Sequence, residues 1–418
     1  MSRTRREAPP VEISRTTGGT TIIVKENHSV PIVSVALYLR GGAMAEVEGR
    51  QGITTLMQRM LMKGTATRSN EDIADALEFV GATMAPFTGK DVFGATLNVL
   101  SKHLPAALEV FADCLTRPAL PEAHLEQERS VLISDIEKRR DDSLSLCLEL
   151  CERELFQGHS YRFPVSGDID SLRGLTAEDL RAWHHRFYRA DMMSIAIVGD
   201  VEAARARDLV AAALGGLPKG EGLVSPVEGL GSIHAPREVL ETREKRQSAV
   251  ALGFRGPACG HADFAAFDVL DHVLSGMGSR LFLELRDKQG LGYVVNSTFD
   301  ARAQAGAFKL YLGTSEDRRA RARAALEEQV VRLREEAVGD EEMERTRRYM
   351  LGLHEIALQR NSAQASRLAF YEIMGLGWRF VDDYAARVEA VQSADVLRVA
   401  QTYLDPARRV VAEVASRG

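Results

Sequence analysis

The feature of this chain that most constrains its fold is an internal repeat with a constant spacing. Residues 35–43 (VALYLRGGA) resemble residues 250–258 (VALGFRGPA), which lie 215 positions later. The same spacing relates Tyr188, in the run FYRAD, to Tyr403, in the run TYLDP, and a β-branched apolar run follows each tyrosine. A fixed offset at both ends of a segment is typical of a duplicated structural unit. The sequence therefore predicts two copies of one fold.

Each copy combines strands with helices. Alternating β-branched runs at 21–25 and 32–39 predict strands, and apolar residues at helical spacing predict helices at 72–80, 104–115 and 168–188. The elements are interspersed without strict alternation, so we predict an α+β fold of two homologous α/β-layered domains, each a mostly antiparallel sheet packed with helices. The predicted limits are 1–220 for the N-terminal domain, 221–236 for a Gly- and Pro-rich linker, and 237–418 for the C-terminal domain.

Composition narrows the functional class. The 418 residues are 45% hydrophobic and 27% charged with a net charge of −6, and nucleic-acid binders usually carry a basic excess instead. No apolar run is long enough for a signal peptide or a membrane span. The four cysteines lack the spacing of a metal site and are expected to be free thiols. These features predict a cytoplasmic protein (periplasmic if a leader has been removed) that associates with neither nucleic acid nor membrane.

A motif at residues 52–65, GITTLMQRMLMKGT, gives the first functional indication. It resembles the zinc-binding segment of the insulinase/pitrilysin metallopeptidases, whose usual form is G-x-x-H-x-x-E-H-x-L-x-K-G-T. The resemblance places Thr55 and Arg59 at the two histidine ligands and Gln58 at the glutamate base. The glycines, leucines, lysine and threonine around these three positions still match. The residues around the metal-binding positions are kept, and the metal ligands and the base are replaced.

The three replacements are incompatible with zinc catalysis on physical grounds. Positions i, i+3 and i+4 share one face of a helix, so the motif normally presents two imidazoles and a carboxylate together. Thr55 has only a neutral hydroxyl, and the permanently charged guanidinium of Arg59 would repel a divalent cation. The amide of Gln58 cannot accept a proton from a metal-bound water. The sequence therefore predicts a degenerate motif that binds no catalytic metal and no other cofactor.

The third ligand position has also changed. The family has a glutamate there, in an E-R-x-V-x-x-x-E pattern, and the equivalent segment of this chain runs from Glu128 to Asp135, which lies 76 positions after Arg59. Glu128 and the register are kept, while the ligand is one methylene shorter. A single carboxylate cannot hold catalytic zinc, which takes three protein ligands.

A second family segment is intact in the C-terminal half. Residues 285–293, LRDKQGLGY, resemble the L-R-x-x-x-G-L-x-Y segment of the family. The resemblance implies that Arg286 and Tyr293 contact the substrate near the scissile bond, where a guanidinium and a phenol can both donate to a peptide carbonyl or oxyanion. Without the resemblance, both would be ordinary surface residues.

The zinc-binding half of the family's active site is replaced in this chain, and the substrate-contacting half is kept. This combination is expected of one subunit of an enzyme whose active site is divided between two chains. The resemblance implies a non-catalytic subunit of a heterodimeric zinc metallopeptidase, inactive alone, which binds peptide and contributes Arg286 and Tyr293 to the active site of a partner that carries HxxEH and the zinc. It is similar to the non-catalytic subunits of mitochondrial processing peptidase, but its glycine loop at 275–279 is short, which favours the bacterial two-chain peptidases.

The alternatives are a catalytically inert peptide-binding or scaffold protein of the same fold and, third, an active homodimeric peptidase with an atypical site. The cleaved peptides, the partner and the oligomeric state are left open.

Overall fold

The computed structural model of the protein describes residues 10–220 and 229–417. Its residues group into two compact units. The first unit takes its described residues from the ranges 1–132, 165–226 and 356–381, and the second takes them from 133–164, 227–355 and 382–418. The predicted linker at 221–236 lies partly outside the described residues, and the predicted domain limits stay a prediction.

The secondary structure is mixed throughout the described chain. The strands are β1 (Val11–Arg15), β2 (Thr21–Glu26), β3 (Ile32–Arg40), β4 (Thr83–Thr88), β5 (Val92–Leu100), β6 (Met193–Gly199), β7 (Arg237–Arg243), β8 (Ser248–Gly256), β9 (Val294–Asp300), β10 (Gly306–Thr314) and β11 (Val410–Ser416). The α-helices are α1 (Ile53–Met60), α2 (Asn70–Phe79), α3 (Leu104–Thr116), α4 (Glu122–Asp141), α5 (Ser143–Leu155), α6 (Ile169–Gly174), α7 (Ala177–Phe187), α8 (Ala203–Leu214), α9 (Phe264–Leu274), α10 (Arg319–Glu335), α11 (Asp340–Ala357), α12 (Asn361–Ile373), α13 (Phe380–Ala390) and α14 (Ser393–Tyr403). A π-helical turn spans Phe282–Lys288.

The two sheets confirm the duplication. The first has the strand order β1-β2-β6-β3-β5-β4, and the second has the order β7-β11-β8-β10-β9. Without β1, the first sheet has the same order and the same single parallel pair as the second, namely β2 with β6 and β7 with β11. The remaining pairs are antiparallel. The predicted α+β class, with mostly antiparallel sheets packed with helices, is therefore confirmed.

The local signals in the sequence explain where the elements begin and end. Every residue of β6 is buried, as expected of a continuous apolar run at the centre of a sheet. The predicted helix at 168–188 consists of two helices, α6 and α7. The break occurs because Leu175 is extended and Thr176 starts α7 with a capping box, in which its hydroxyl accepts from the Asp179 N–H.

Each unit also contains a segment that is distant in sequence from the rest of it. Helix α12 packs on β3 and β6 of the first unit, where Ala365, Leu368 and Ala369 join the apolar core of that sheet. Helix α5 packs on β8, β10 and β11 of the second unit. The repeat in the sequence gave no indication of this exchange. No helix in the described ranges combines the length and the apolar character that crossing a membrane requires.

Candidate functional site

The degenerate motif forms a short helix with a buried carboxylate at its start. Helix α1 follows Gly52, whose φ of 89° lies in the left-handed region, and a Cβ there would be 2.7 Å from the Ser166 carbonyl oxygen. The Glu46 carboxylate caps the helix, because it accepts hydrogen bonds from the N–H groups of Gly52 (2.8 Å) and Thr54 (3.0 Å). Burial raises the pKa of Glu46 to about 6, and these hydrogen bonds oppose the shift.

Two of the three altered motif side chains are engaged by the interior of the first unit. Thr55 Oγ1 donates to the Val165 carbonyl oxygen at 2.6 Å. Gln58 is buried, and its Nε2 donates to the Tyr188 hydroxyl at 2.7 Å. Burial raises the pKa of Tyr188, so this phenol stays neutral and acts as a hydrogen-bond partner. Thr55 and Gln58 therefore have structural partners where the family has a ligand and a base.

The third altered side chain introduces positive charge. The Arg59 guanidinium lies 3.6 Å from the Glu128 carboxylate, whose other oxygen is 2.8 Å from Lys63 Nζ. Two cations and one carboxylate repel rather than attract a divalent metal. In the described part of the chain, no group of three or more His, Cys, Asp or Glu side chains could hold a metal ion. The residues present at the motif therefore do not fit a catalytic zinc.

Asp135, at the third ligand position, lies two turns after Glu128 on the continuous helix α4. Its side chain is exposed. Residues up to 132 belong to the first unit and residues from 133 to the second, so α4 supplies Glu128 to one unit and Asp135 to the other.

The Arg286–Tyr293 segment of the second unit has a different character. The Arg286 guanidinium lies over two aromatic rings, with its Cζ 4.6 Å from the centroid of Phe282 and 4.6 Å from the centroid of Tyr293. Tyr293 is 80% exposed. Over the residues that the structure describes, neither a hydrogen bond nor an ion pair engages this guanidinium, so its N–H donors are available to a ligand.

Two glycines bring Tyr293 to Arg286. Gly290 ends the helical turn with a φ of 60°, and the Leu291 N–H donates to the Leu285 carbonyl at 2.9 Å, which turns the chain back over the helix. A Cβ on Gly292 would be 2.1 Å from the Gly313 carbonyl oxygen, so only glycine fits this close passage along β10. Gly290 thus ends a turn that is π-helical.

A cavity of about 720 Å³ lies elsewhere in the first unit, between α3, α7 and α8. Its lining includes Tyr188 and Asp113 but none of the predicted site residues. Asp113 also accepts a hydrogen bond from Thr65 at 2.7 Å. The cavity therefore borders the partners of the motif and not the motif positions themselves.

Sequence reasoning missed three residues that shape these sites. Phe282 could have been found, because it precedes Arg286 by four residues and so shares its helix face. Tyr188 was noticed only as a marker of the repeat, and its bond to Gln58 joins residues 130 positions apart. Glu46 lies in an irregular segment, where no periodic signal identifies a cap.

The fold defines a class, a duplicated α+β protein with two related sheets packed with helices. Two family models match the chain, Insulinase (Peptidase family M16) over residues 21–168 and Peptidase M16 inactive domain over residues 174–350. The chain belongs to the insulinase family, peptidase family M16, and the predicted resemblance to that family is confirmed. The correspondence of the individual motif positions stays a prediction.

Curated relatives match over nearly the whole chain. An uncharacterized zinc protease of Mycobacterium tuberculosis is 30% identical over 393 residues, which cover 93% of this chain and 89% of that protein. An uncharacterized zinc protease of Bacillus subtilis is 25% identical over 376 residues, covering 89% and 90% of the two chains.

Solved structures agree on the fold. A peptidase M16 inactive domain from Pseudomonas fluorescens superposes with a TM-score of 0.92 at 22% identity, covering 98% of each chain. A protease from Helicobacter pylori superposes with a TM-score of 0.90 at 20% identity, covering 97% of this chain and 99% of that one. At these identities the likeness concerns the fold alone.

Proposed function

We propose that this chain is the non-catalytic subunit of a heterodimeric zinc metallopeptidase. It binds the peptide substrate and contributes Arg286 and Tyr293 to the active site of a homologous partner. The partner carries the intact HxxEH motif and the zinc, which supplies the activated water when bound. Alone, this chain hydrolyses no peptide.

The observation that carries the proposal is the state of Arg286. Its guanidinium is held over the rings of Phe282 and Tyr293, with its Cζ 4.6 Å from each centroid. No acceptor among the described residues takes its N–H donors. A preorganised donor with no internal acceptor is suited to an external one.

The chemistry of the pair fits peptide hydrolysis. Arginine presents five N–H donors in a rigid plane, and the tyrosine hydroxyl adds another donor. Donors fixed before the reaction stabilise the negative charge that develops on the carbonyl oxygen during attack at a peptide bond. Arg286 and Tyr293 would thus orient the scissile carbonyl and stabilise its oxyanion, while proton transfer stays with the partner.

The motif helix supports the same division of labour. Thr55 and Gln58 hydrogen-bond within the first unit, and Arg59 places a cation where the family has a metal ligand. These replacements suit a subunit that keeps the fold of a peptidase and leaves the metal to another chain.

Reconstitution with a partner tests the proposal. The chain would be coexpressed with a homologue that carries an intact HxxEH motif, beginning with the one encoded nearest to it, and peptidase activity would be measured for each chain and for the pair. We expect activity only in the pair, zinc only on the partner, and a loss of activity in Arg286→Ala and Tyr293→Phe.

Other outcomes assign other functions. A stable complex whose activity is unchanged by both substitutions supports a catalytically inert peptide-binding or scaffold protein. One equivalent of zinc on this chain, with peptidase activity in its homodimer, contradicts the proposal outright.

A further inference from the structure

We infer that Phe282 is a positioning residue: its ring holds the Arg286 guanidinium in the position from which it donates to the substrate. This inference rests on the proposed function of Arg286, and it adds a residue outside the Arg–Tyr pair. Phe282 itself is not expected to contact the reacting atoms.

The stacking geometry explains how Phe282 acts. The two rings lie 4.6 Å from the same Cζ atom. A cation that lies over the face of an aromatic ring is held there by electrostatic attraction to the π-system. No hydrogen bond to an acceptor is needed for this attraction, so it restrains the side chain while leaving the N–H donors to other acceptors. An ion pair would restrain it equally but would occupy those donors.

The two rings are not equivalent. Tyr293 is 80% exposed, whereas Phe282 is half-buried. Phe282 also belongs to the π-helical turn Phe282–Lys288, which is anchored by Leu285 in the apolar core of the second unit. Phe282 is therefore the fixed side of the stack, and Tyr293 is the side open to a ligand.

The turn brings the two stacked residues together along the chain. Phe282 precedes Arg286 by four residues in a helical segment, which places both side chains on one face. π-Helical turns are rare and frequently occur at functional sites. The segment thus combines an unusual backbone, an uncommitted guanidinium and a ring that holds it.

Arginine reactivity in the isolated chain tests the restraint without a partner. The rate of Arg286 modification by phenylglyoxal would be followed by peptide mass spectrometry. We expect Phe282→Leu to raise this rate about two- to fivefold, the range that corresponds to loss of one exposed cation–π contact, while Phe282→Tyr leaves it unchanged. Phe79→Leu, at a phenylalanine that is 89% exposed in the first unit, is the matched control. Equal rates in wild type and Phe282→Leu would overturn the inference.

Kinetics of the reconstituted pair test the functional consequence. We expect Phe282→Leu to lower kcat about two- to fivefold with little change in KM, and Phe282→Tyr to restore it, because the ring and not the hydrophobic volume is what matters. A lowered kcat that Phe282→Tyr fails to restore would contradict a positioning role. If Phe282→Leu does not fold, as judged by circular dichroism, Phe282→Met replaces it in both assays.

The two assays separate the inference from the proposed function. If Arg286→Ala leaves the activity of the pair unchanged, the proposed function fails, and the phenylglyoxal rates still decide whether Phe282 restrains Arg286. If Arg286→Ala abolishes activity and Phe282→Leu changes neither rate, the positioning role alone fails.

Discussion

The motif helix of the first unit and the Arg286 turn of the second differ in how their polar groups are used. Thr55 and Gln58 are hydrogen-bonded within their own unit, and Gln58 is 3% exposed. Arg286 is stacked on two rings with its donors unused, beside a tyrosine that is 80% exposed. Gln58 is held through its Nε2, although its buried Oε1 has no partner among the described residues. Side chains that bond within the fold maintain it, whereas a guanidinium that is held in place without a protein acceptor in the described chain is available to a ligand. The comparison predicts that substitutions in the motif helix lower stability and those in the turn lower activity.

The largest expected effect is on Arg286. We expect Arg286→Ala to lower kcat of the reconstituted pair about 10²–10³-fold, the usual consequence of removing one oxyanion donor, while the urea midpoint of the isolated chain stays unchanged. Lys288→Ala is the matched control, because Lys288 is an exposed cation on the same turn, paired with Glu284. If Arg286→Ala lowered stability enough to account for its loss of activity, the Arg286 turn would not differ from the motif helix in the way described.

The next effect concerns Gln58. We expect Gln58→Met to lower the free energy of unfolding by about 1–3 kcal/mol, because the buried Tyr188 hydroxyl loses its donor, and to leave kcat of the pair unchanged. Urea denaturation measures the first quantity. The double variant Gln58→Met/Tyr188→Phe should recover part of the loss, since it removes both partners. A large fall in kcat would show instead that the motif position has a part in catalysis.

The free energy of unfolding should depend on pH through Glu46, which caps the motif helix. The pKa of Glu46 in the folded chain is about 6, above its ordinary value of 4.5, so folding favours the protonated carboxyl. The contribution of Glu46 to the free energy of unfolding is complete below pH 4.5 and is lost as the pH rises through 6. The shift in pKa corresponds to a loss of about 2 kcal/mol in the free energy of unfolding. Measured by urea denaturation at several pH values, Glu46→Gln should gain stability relative to wild type by this amount between pH 4 and 7. Parallel pH profiles would contradict the assignment.

The smallest expected effect is at Arg59. Its guanidinium lies 3.6 Å from Glu128, and the Arg59 side chain is 30% exposed. We expect Arg59→Gln to change the free energy of unfolding by about 1 kcal/mol or less, as is usual for partly exposed ion pairs, and to leave the activity of the pair unaltered. Urea denaturation and the peptidase assay measure the two quantities. A loss above that range would mean that Arg59 is essential to the motif helix.

Much of the fold was predictable because the repeat is visible in the sequence. The spacing between Tyr188 and Tyr403 predicted two copies, and the two sheets have the same strand order once β1 is set aside. The helix start at Thr176 and the turn at Gly290 follow from local chemistry, namely a capping box and a glycine in the left-handed region. Local signals do not specify which distant segments pack together, so the placement of α5 and α12 was not predictable.

The candidate site shows the same limit. Residue types alone were enough to predict that Thr55, Gln58 and Arg59 do not fit a catalytic zinc, because their chemistry does not depend on the fold. The partners of these side chains were not predictable, since Tyr188 is 130 positions from Gln58. At Arg286, the sequence predicted the pairing with Tyr293 but not the contact with Phe282. That contact depends on a π-helical turn, which periodicity in the sequence does not reveal.

The placement of α12 has a consequence for biosynthesis. The sheet of the first unit is packed on one face by a helix that begins at Asn361, whereas the last strand of that sheet ends at Gly199. During translation the growing chain must therefore emerge by more than 160 further residues before this face is covered. The second unit likewise needs its strand β11, which spans Val410–Ser416. Nascent chains shorter than about 360 residues lack α12 and should therefore be the species that chaperones retain.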